Sequence, residues 1–206
     1  MKKSAILISA LLLMGLAPAY AEDGSRLFQR KGCYTCHGAA GANPITPQYP
    51  VLAGQNKDYI VSQIAAFSNK HRQGTLNTNQ MVPFANSITK DGPEVVGAIA
   101  EYLASNQPTK TASYDNDQVH EGEEVFMQGG CAACHGEDAK TPIMPNYPKL
   151  AGLSPEYLAN QLYAFGAAEK KATRGGTPEA MMMAPMAQGL TAEQVKAVSN
   201  YLASLK

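Results

Sequence analysis

The chain has 206 residues, 17 of them basic and 17 acidic, and 45% of it is hydrophobic. That is enough for one ordinary domain or two small ones, and it lacks the basic excess that strong nucleic-acid binding requires. Its four cysteines have to be accounted for by disulfides, metal or a covalent group.

The N-terminus has the three parts of a secretory leader: Lys2 and Lys3, an apolar run from Ala5 to Leu16, and the small-residue site Ala19-Tyr20-Ala21. Cleavage is expected after Ala21, with export to the periplasm. The apolar run is too short to serve comfortably as a retained anchor, and no other segment is apolar enough to cross a membrane.

Gly24 and Phe28 open a first segment that leads to Cys33-Tyr34-Thr35-Cys36-His37-Gly38, followed by the run Tyr49-Pro50-Val51-Leu52-Ala53-Gly54. Tyr59, Ile60, Ile64 and Phe67 then recur every three to four residues, the period of a helix with one buried face. Gly74-Thr75 leads into a predicted loop carrying Met81 two residues before Pro83. Asp91 with Glu94 reads as a capping box for a final helix through Ile99, Tyr102 and Leu103. The polar stretch 107–116 has no apolar period and reads as a linker.

The same grammar then repeats. Gly122, Phe126, Cys131-Ala132-Ala133-Cys134-His135-Gly136 and Tyr147-Pro148-Lys149-Leu150-Ala151-Gly152 match the first copy at an offset of 98 residues, as do Tyr157, Gln161 and Phe165. Ser154 and Pro155 read as an N-cap and first-turn proline. Met183 and Pro185 match Met81 and Pro83 at an offset of 102, so the second copy carries four extra residues in that loop. Thr191 with Gln194 repeats the capping box before Val198, Tyr201 and Leu202. A long, twofold repeat points to duplicated domains rather than a solenoid. The expected organisation is a leader at 1–21, domain one at 22–106, a linker at 107–116 and domain two at 117–206, all-α throughout.

In Cys-x-x-Cys-His the two thiols can add to the two vinyl groups of one haem, and the adjacent histidine can ligate its iron. Three other uses of such cysteines are a four-sulfur zinc site, a thioredoxin-like redox motif and two local disulfides. The histidine in both copies, the leader and the helical setting favour haem, attached through Cys33 and Cys36 in one copy and Cys131 and Cys134 in the other. His37 and His135 are then the proximal ligands. The second axial ligand sets the chemistry, and a thioether there favours the reduced state. Met81 and Met183 occupy matching repeat positions and are the expected distal ligands, with Met181, Met182 and Met186 as rivals in the second copy. His71 and His120 have no histidine counterpart and are expected at the surface; His71 remains an alternative for the first iron.

These residues resemble the cytochrome c4 group of bacterial dihaem cytochromes c, over the chain from about Gly24 to its C-terminus. The tandem motifs, the two Tyr-Pro-x-Leu-Ala-Gly runs and the late methionines carry the resemblance. It implies two tandem cytochrome c-like domains, each a small helical fold around one covalent haem. It further implies that the Pro50 and Pro148 carbonyls orient His37 and His135, that Leu52 and Leu150 pack on the haems, and that Gly24 and Gly122 let the first helix cross the last near Tyr102 and Tyr201.

With methionine in the sixth position no site on the iron is open, so the expected role is outer-sphere electron transfer rather than catalysis. The resemblance implies a membrane electron donor and a terminal oxidase as partners. Residues 22–113 hold 8 basic and 6 acidic side chains against 7 and 11 in residues 114–206, which suggests different partners at the two ends. The alternative role is that of the dihaem subunit of a flavocytochrome sulfide dehydrogenase. A peroxidase or thiosulfate-oxidising enzyme would need an openable iron or an unusual ligand, and no cysteine is left over to supply one.

Overall fold

The computed structural model describes residues 23–109 and 112–206, so the predicted leader, its cleavage after Ala21 and linker residues 110 and 111 lie outside the described residues. Among the described residues ten α-helices fall into two sets of five. The first set is α1 (Gly24–Arg30), α2 (Tyr34–His37), α3 (Lys57–Ser68), α4 (Leu76–Lys90) and α5 (Pro93–Ser105). The second is α6 (Val119–Gln128), α7 (Ala132–His135), α8 (Pro155–Ala164), α9 (Pro178–Gln188) and α10 (Ala192–Ser204). No strand occurs among the described residues, and their one β-bridge pairs Arg72 with Arg174.

In each set the first helix crosses the last, α1 on α5 and α6 on α10. A glycine marks both crossings. A Cβ on Gly24 would stand 2.7 Å from that of Tyr102, and one on Gly122 would stand 2.6 Å from that of Tyr201, so only glycine lets the backbones approach this closely. Phe28 and Phe126 lie fully buried beside them, tilted against Tyr102 and Tyr201 with ring centroids 5.8 and 5.7 Å apart. Leu27, Ile60, Ile64, Ile88, Ile99 and Leu103 complete the first core. Tyr157, Leu158, Val198 and Leu202 join Phe126 and Tyr201 in the second.

Helix starts follow local chemistry. Ser154 caps α8 with Pro155 behind it, and Thr191 forms a capping box with Gln194. The expected box between Asp91 and Glu94 is absent. Gly92, at φ 104°, begins α5 without a side-chain cap, and Asp91 instead closes α4 and pairs with Lys31 at 2.7 Å. The methionine segments also depart from expectation: both are helical. Thr75 and Thr177 cap α4 and α9, and Pro83 and Pro185 sit inside those helices. A glycine followed by threonine and a later proline read as loop chemistry, but the threonine acts as an N-cap and the proline is tolerated within the helix.

The halves meet along a polar seam. The Gln55 side chain donates to the Lys149 carbonyl and accepts from the Lys149 amide, both at 2.9 Å, while Asn56 donates to the Tyr147 carbonyl at 2.8 Å. The Lys149 ammonium reaches the Gly54 carbonyl at 2.8 Å.

Candidate functional site

α2 and α7 are single turns that place two cysteines and a histidine on one short arc, with Cys33 and Cys131 at their N-caps. Gly38 and Gly136 follow the histidines at φ 73° and 79°, a left-handed conformation that turns the chain away. The chain then returns so that the carbonyls of Pro50 and Pro148 lie 3.0 and 3.1 Å from the Nδ1 atoms of His37 and His135. Nδ1 is therefore the nitrogen that donates, and Nε2 is left as the ligating atom. Burial lowers both histidine pKa values against the opposing pull of the proline carbonyls, which favours the neutral, ligating imidazole.

All four cysteines are free and half-buried. Burial pushes the Cys33 thiol up to about 11 and raises that of Cys131, so both stay protonated. Addition across a vinyl group uses a thiol, and a protonated cysteine suits that chemistry. Among the described residues no three His, Cys, Asp or Glu side chains are arranged to hold a metal ion, so the two cysteine pairs do not converge on a shared zinc.

Both motifs open on one continuous cavity of about 740 Å³ that runs through the two halves. Its wall takes Cys33, Cys36, His37, Pro50, Leu52 and Met81 from the first half and Cys131, Cys134, His135, Pro148, Leu150 and Met183 from the second. The remaining wall is largely aliphatic and aromatic, with Phe28, Ile64, Phe126 and Leu158 among its lining residues. Three buried polar atoms on residues of this wall have no hydrogen-bond partner: Arg72 Nε, Asn146 Oδ1 and Thr173 Oγ1. Paired thiols, a one-sided imidazole, an apolar wall and a few unsatisfied polar atoms together fit a large planar group with polar substituents, as haem is.

Met81 and Met183 stand on α4 and α9, both half-buried. Met183 also packs against the small cluster of Phe165, Ala180 and Val195. Met182 and Met186 touch the cavity from exposed positions, while Met181 is 71% exposed and outside its wall. His120 is exposed as expected. His71 is not: it is half-buried beside Gly176, its carbonyl accepts from the Gly175 amide at 3.0 Å, and it takes no part in the cavity wall. The pairing of the two loops around Arg72 and Arg174 explains that placement.

Sequence reasoning passed over these arginines and Gln55. The arginines did leave a signal, because they match at the offset of 102 that also relates Met81 to Met183.

The cytochrome c sequence family matches residues 21–107 and again 119–206. Cytochrome c-552 of Acidithiobacillus ferridurans is 30% identical over 97% of this chain and 86% of its own. A thiosulfate dehydrogenase electron acceptor of Stutzerimonas stutzeri is 28% identical, covering 96% of this chain and 92% of its own. Among solved structures, cytochrome c4 of Acidithiobacillus ferrooxidans superposes with a TM-score of 0.71 at 30% identity, over 84% of this chain and 98% of that one.

Proposed function

The chain belongs to the cytochrome c family, in the tandem two-haem form of cytochrome c4, and from that premise we propose that it is a periplasmic carrier passing electrons from a membrane donor to a terminal oxidase. Bound haem supplies one-electron chemistry between ferric and ferrous iron, without group transfer. The chain's part is to hold, orient and shield. Cys33 and Cys36, with Cys131 and Cys134, tether the two groups. His37 and His135 ligate from one side, their rings held by the Pro50 and Pro148 carbonyls. Met81 and Met183, which line the same cavity, would supply the second ligands, and Leu52 and Leu150 would keep water from the haems. Domain one comprises 22–106 and domain two 117–206, joined by the linker 107–116.

The observation that supports this reading is the cavity walled by both cysteine motifs, which would hold the two groups in one enclosure where electrons could pass between them. A carrier of this kind takes up two electrons per chain and restores oxygen consumption to membranes stripped of soluble cytochrome. It shows no turnover with peroxide or thiosulfate. Failure to accept electrons from membranes, or turnover with either substrate, contradicts the role.

A second reading is favoured by the relative named as a thiosulfate dehydrogenase electron acceptor. The chain would then take electrons from a thiosulfate-oxidising enzyme rather than a membrane complex. Reduction by such an enzyme in the presence of thiosulfate, faster than by membranes, selects this reading over the first. Co-purification of a flavoprotein would select the sulfide dehydrogenase subunit instead.

A further inference from the structure

The two halves differ in their sulfur. Residues 22–113 carry one methionine, Met81, whereas residues 114–206 carry six. Five of those six are exposed: Met127, Met144, Met181, Met182 and Met186. Three of the five belong to α9, where the offset of 102 sets Met181, Met182 and Met186 against Asn79, Gln80 and Phe84 of α4.

In the first half Gln80 accepts a hydrogen bond from the Tyr49 hydroxyl at 2.7 Å. Met182, a weak acceptor at best, stands 65% exposed in its place. Phe84 and Met186 also hold equivalent places. The ring of one and the terminal methyl of the other lie 3.7 Å from where a Cβ on Gly32 or Gly130 would stand, one residue before Cys33 or Cys131. Met182 and Met186 are one helical turn apart on one face of α9, and both line the cavity while open to solvent. Met183 is half-buried and packs with Phe165, Ala180 and Val195. The second haem site therefore has solvent-exposed thioethers at its mouth and a more sheltered one as its ligand. Core packing, the ordinary use of methionine, does not account for side chains 71, 65 and 45% exposed at Met181, Met182 and Met186.

What separates a thioether from other apolar side chains is a sulfur that takes up an oxygen atom from two-electron oxidants and loses it again to sulfoxide reductases. We propose that Met181, Met182 and Met186 are a modification site, a thioether guard that intercepts hypohalous acids before they reach Met183. The inference rests on the two-haem reading with Met183 as a ligand, in which the cysteines are spent on haem and no thiol competes. In each event one guard sulfur loses two electrons and gains the oxygen of the acid as a sulfoxide. The halogen takes the two electrons and leaves as halide, and the proton goes to water. Exposure decides which sulfur is consumed first. Met81 has no such guard, because Asn79, Gln80 and Phe84 contain no sulfur.

The test is a titration of the ferric holoprotein with hypochlorous acid, up to and beyond about three equivalents per chain, one for each guard residue. Sulfoxides are located by peptide mass spectrometry, and the long-wavelength methionine-to-iron band is followed alongside. Met181, Met182 and Met186 are expected to oxidise first, with Met183 lagging behind Met81. In Met181→Leu/Met182→Leu/Met186→Leu, Met183 sulfoxide appears at a severalfold lower dose and the band falls with it. Met127→Leu/Met144→Leu removes two exposed thioethers that do not line the cavity, and leaves Met183 as protected as before. Early oxidation of Met183 in the unsubstituted chain, undiminished protection in the triple variant, or lost protection in the double variant overturns the proposal. A triple variant that lacks half of the band before oxidant is added has lost a ligand. That result, or fewer than two haems in the unsubstituted protein, overturns the reading beneath the proposal and the proposal with it.

Discussion

The Nδ1 atom of His37 is hydrogen-bonded to the carbonyl of Pro50 at 3.0 Å, and His135 repeats the relation with Pro148 at 3.1 Å. The bond occupies Nδ1 and leaves Nε2 as the free ring nitrogen, while Met81 on α4 and Met183 on α9 line the same cavity. If Met81 and Met183 ligate the two irons, Met81→Ala and Met183→Ala each remove roughly half of the long-wavelength band of methionine-ligated ferric haem and lower one potential. Visible spectra of the ferric proteins check this. Retention of the full band in the double variant contradicts the assignment.

The crossing glycines tolerate no side chain. Gly24→Val or Gly122→Val drives new carbons into the Ala98 or Ala197 carbonyl and into Tyr102 or Tyr201. Each substitution is expected to cost about 1–3 kcal/mol or more by overpacking. Urea unfolding of the holoproteins, followed by far-UV circular dichroism, measures the loss.

Gln55 is 6% exposed and satisfies both backbone groups of Lys149 across the seam between the halves. Gln55→Ala strands a buried donor and acceptor, at about 1–3 kcal/mol. Faster proteolytic cleavage in the linker of this variant, with haem content unchanged, is the expected result.

The Lys31 ammonium holds the Asp91 carboxyl below its ordinary pKa. A carboxyl depressed on folding stabilises the native state fully above its unfolded value, about 3.9, and ceases to do so as pH falls through the lower native value. Wild type should therefore melt above Asp91→Asn at neutral pH, and the two curves should converge as the pH falls through the depressed native value. A constant gap across that range contradicts the pairing.

The repeat made much of this arrangement legible. Matching Gly24 with Gly122 and Cys33 with Cys131 at one offset is enough to imply two copies of one helical fold, and Thr191 and Ser154 announce their helices as caps. The methionine segments were misread because proline is a weaker helix breaker where tertiary packing holds the helix: α4 lies on α3, and Ala85 and Ile88 are buried there. Asp91 was misread because Gly92 moves the helix start past it, leaving its carboxylate free to meet Lys31, sixty residues earlier in sequence. Arg72, Arg174 and Gln55 act only across the junction, a relation between two distant segments that no local pattern encodes.

The central claim is one covalent haem per half. Mass spectrometry of the exported protein after acid-acetone extraction tests it most directly, with Cys33→Ser/Cys36→Ser and Cys131→Ser/Cys134→Ser as companions. The account predicts two haems retained per chain, and one in each double variant. One haem in the unsubstituted chain, or haem that is extracted, contradicts it.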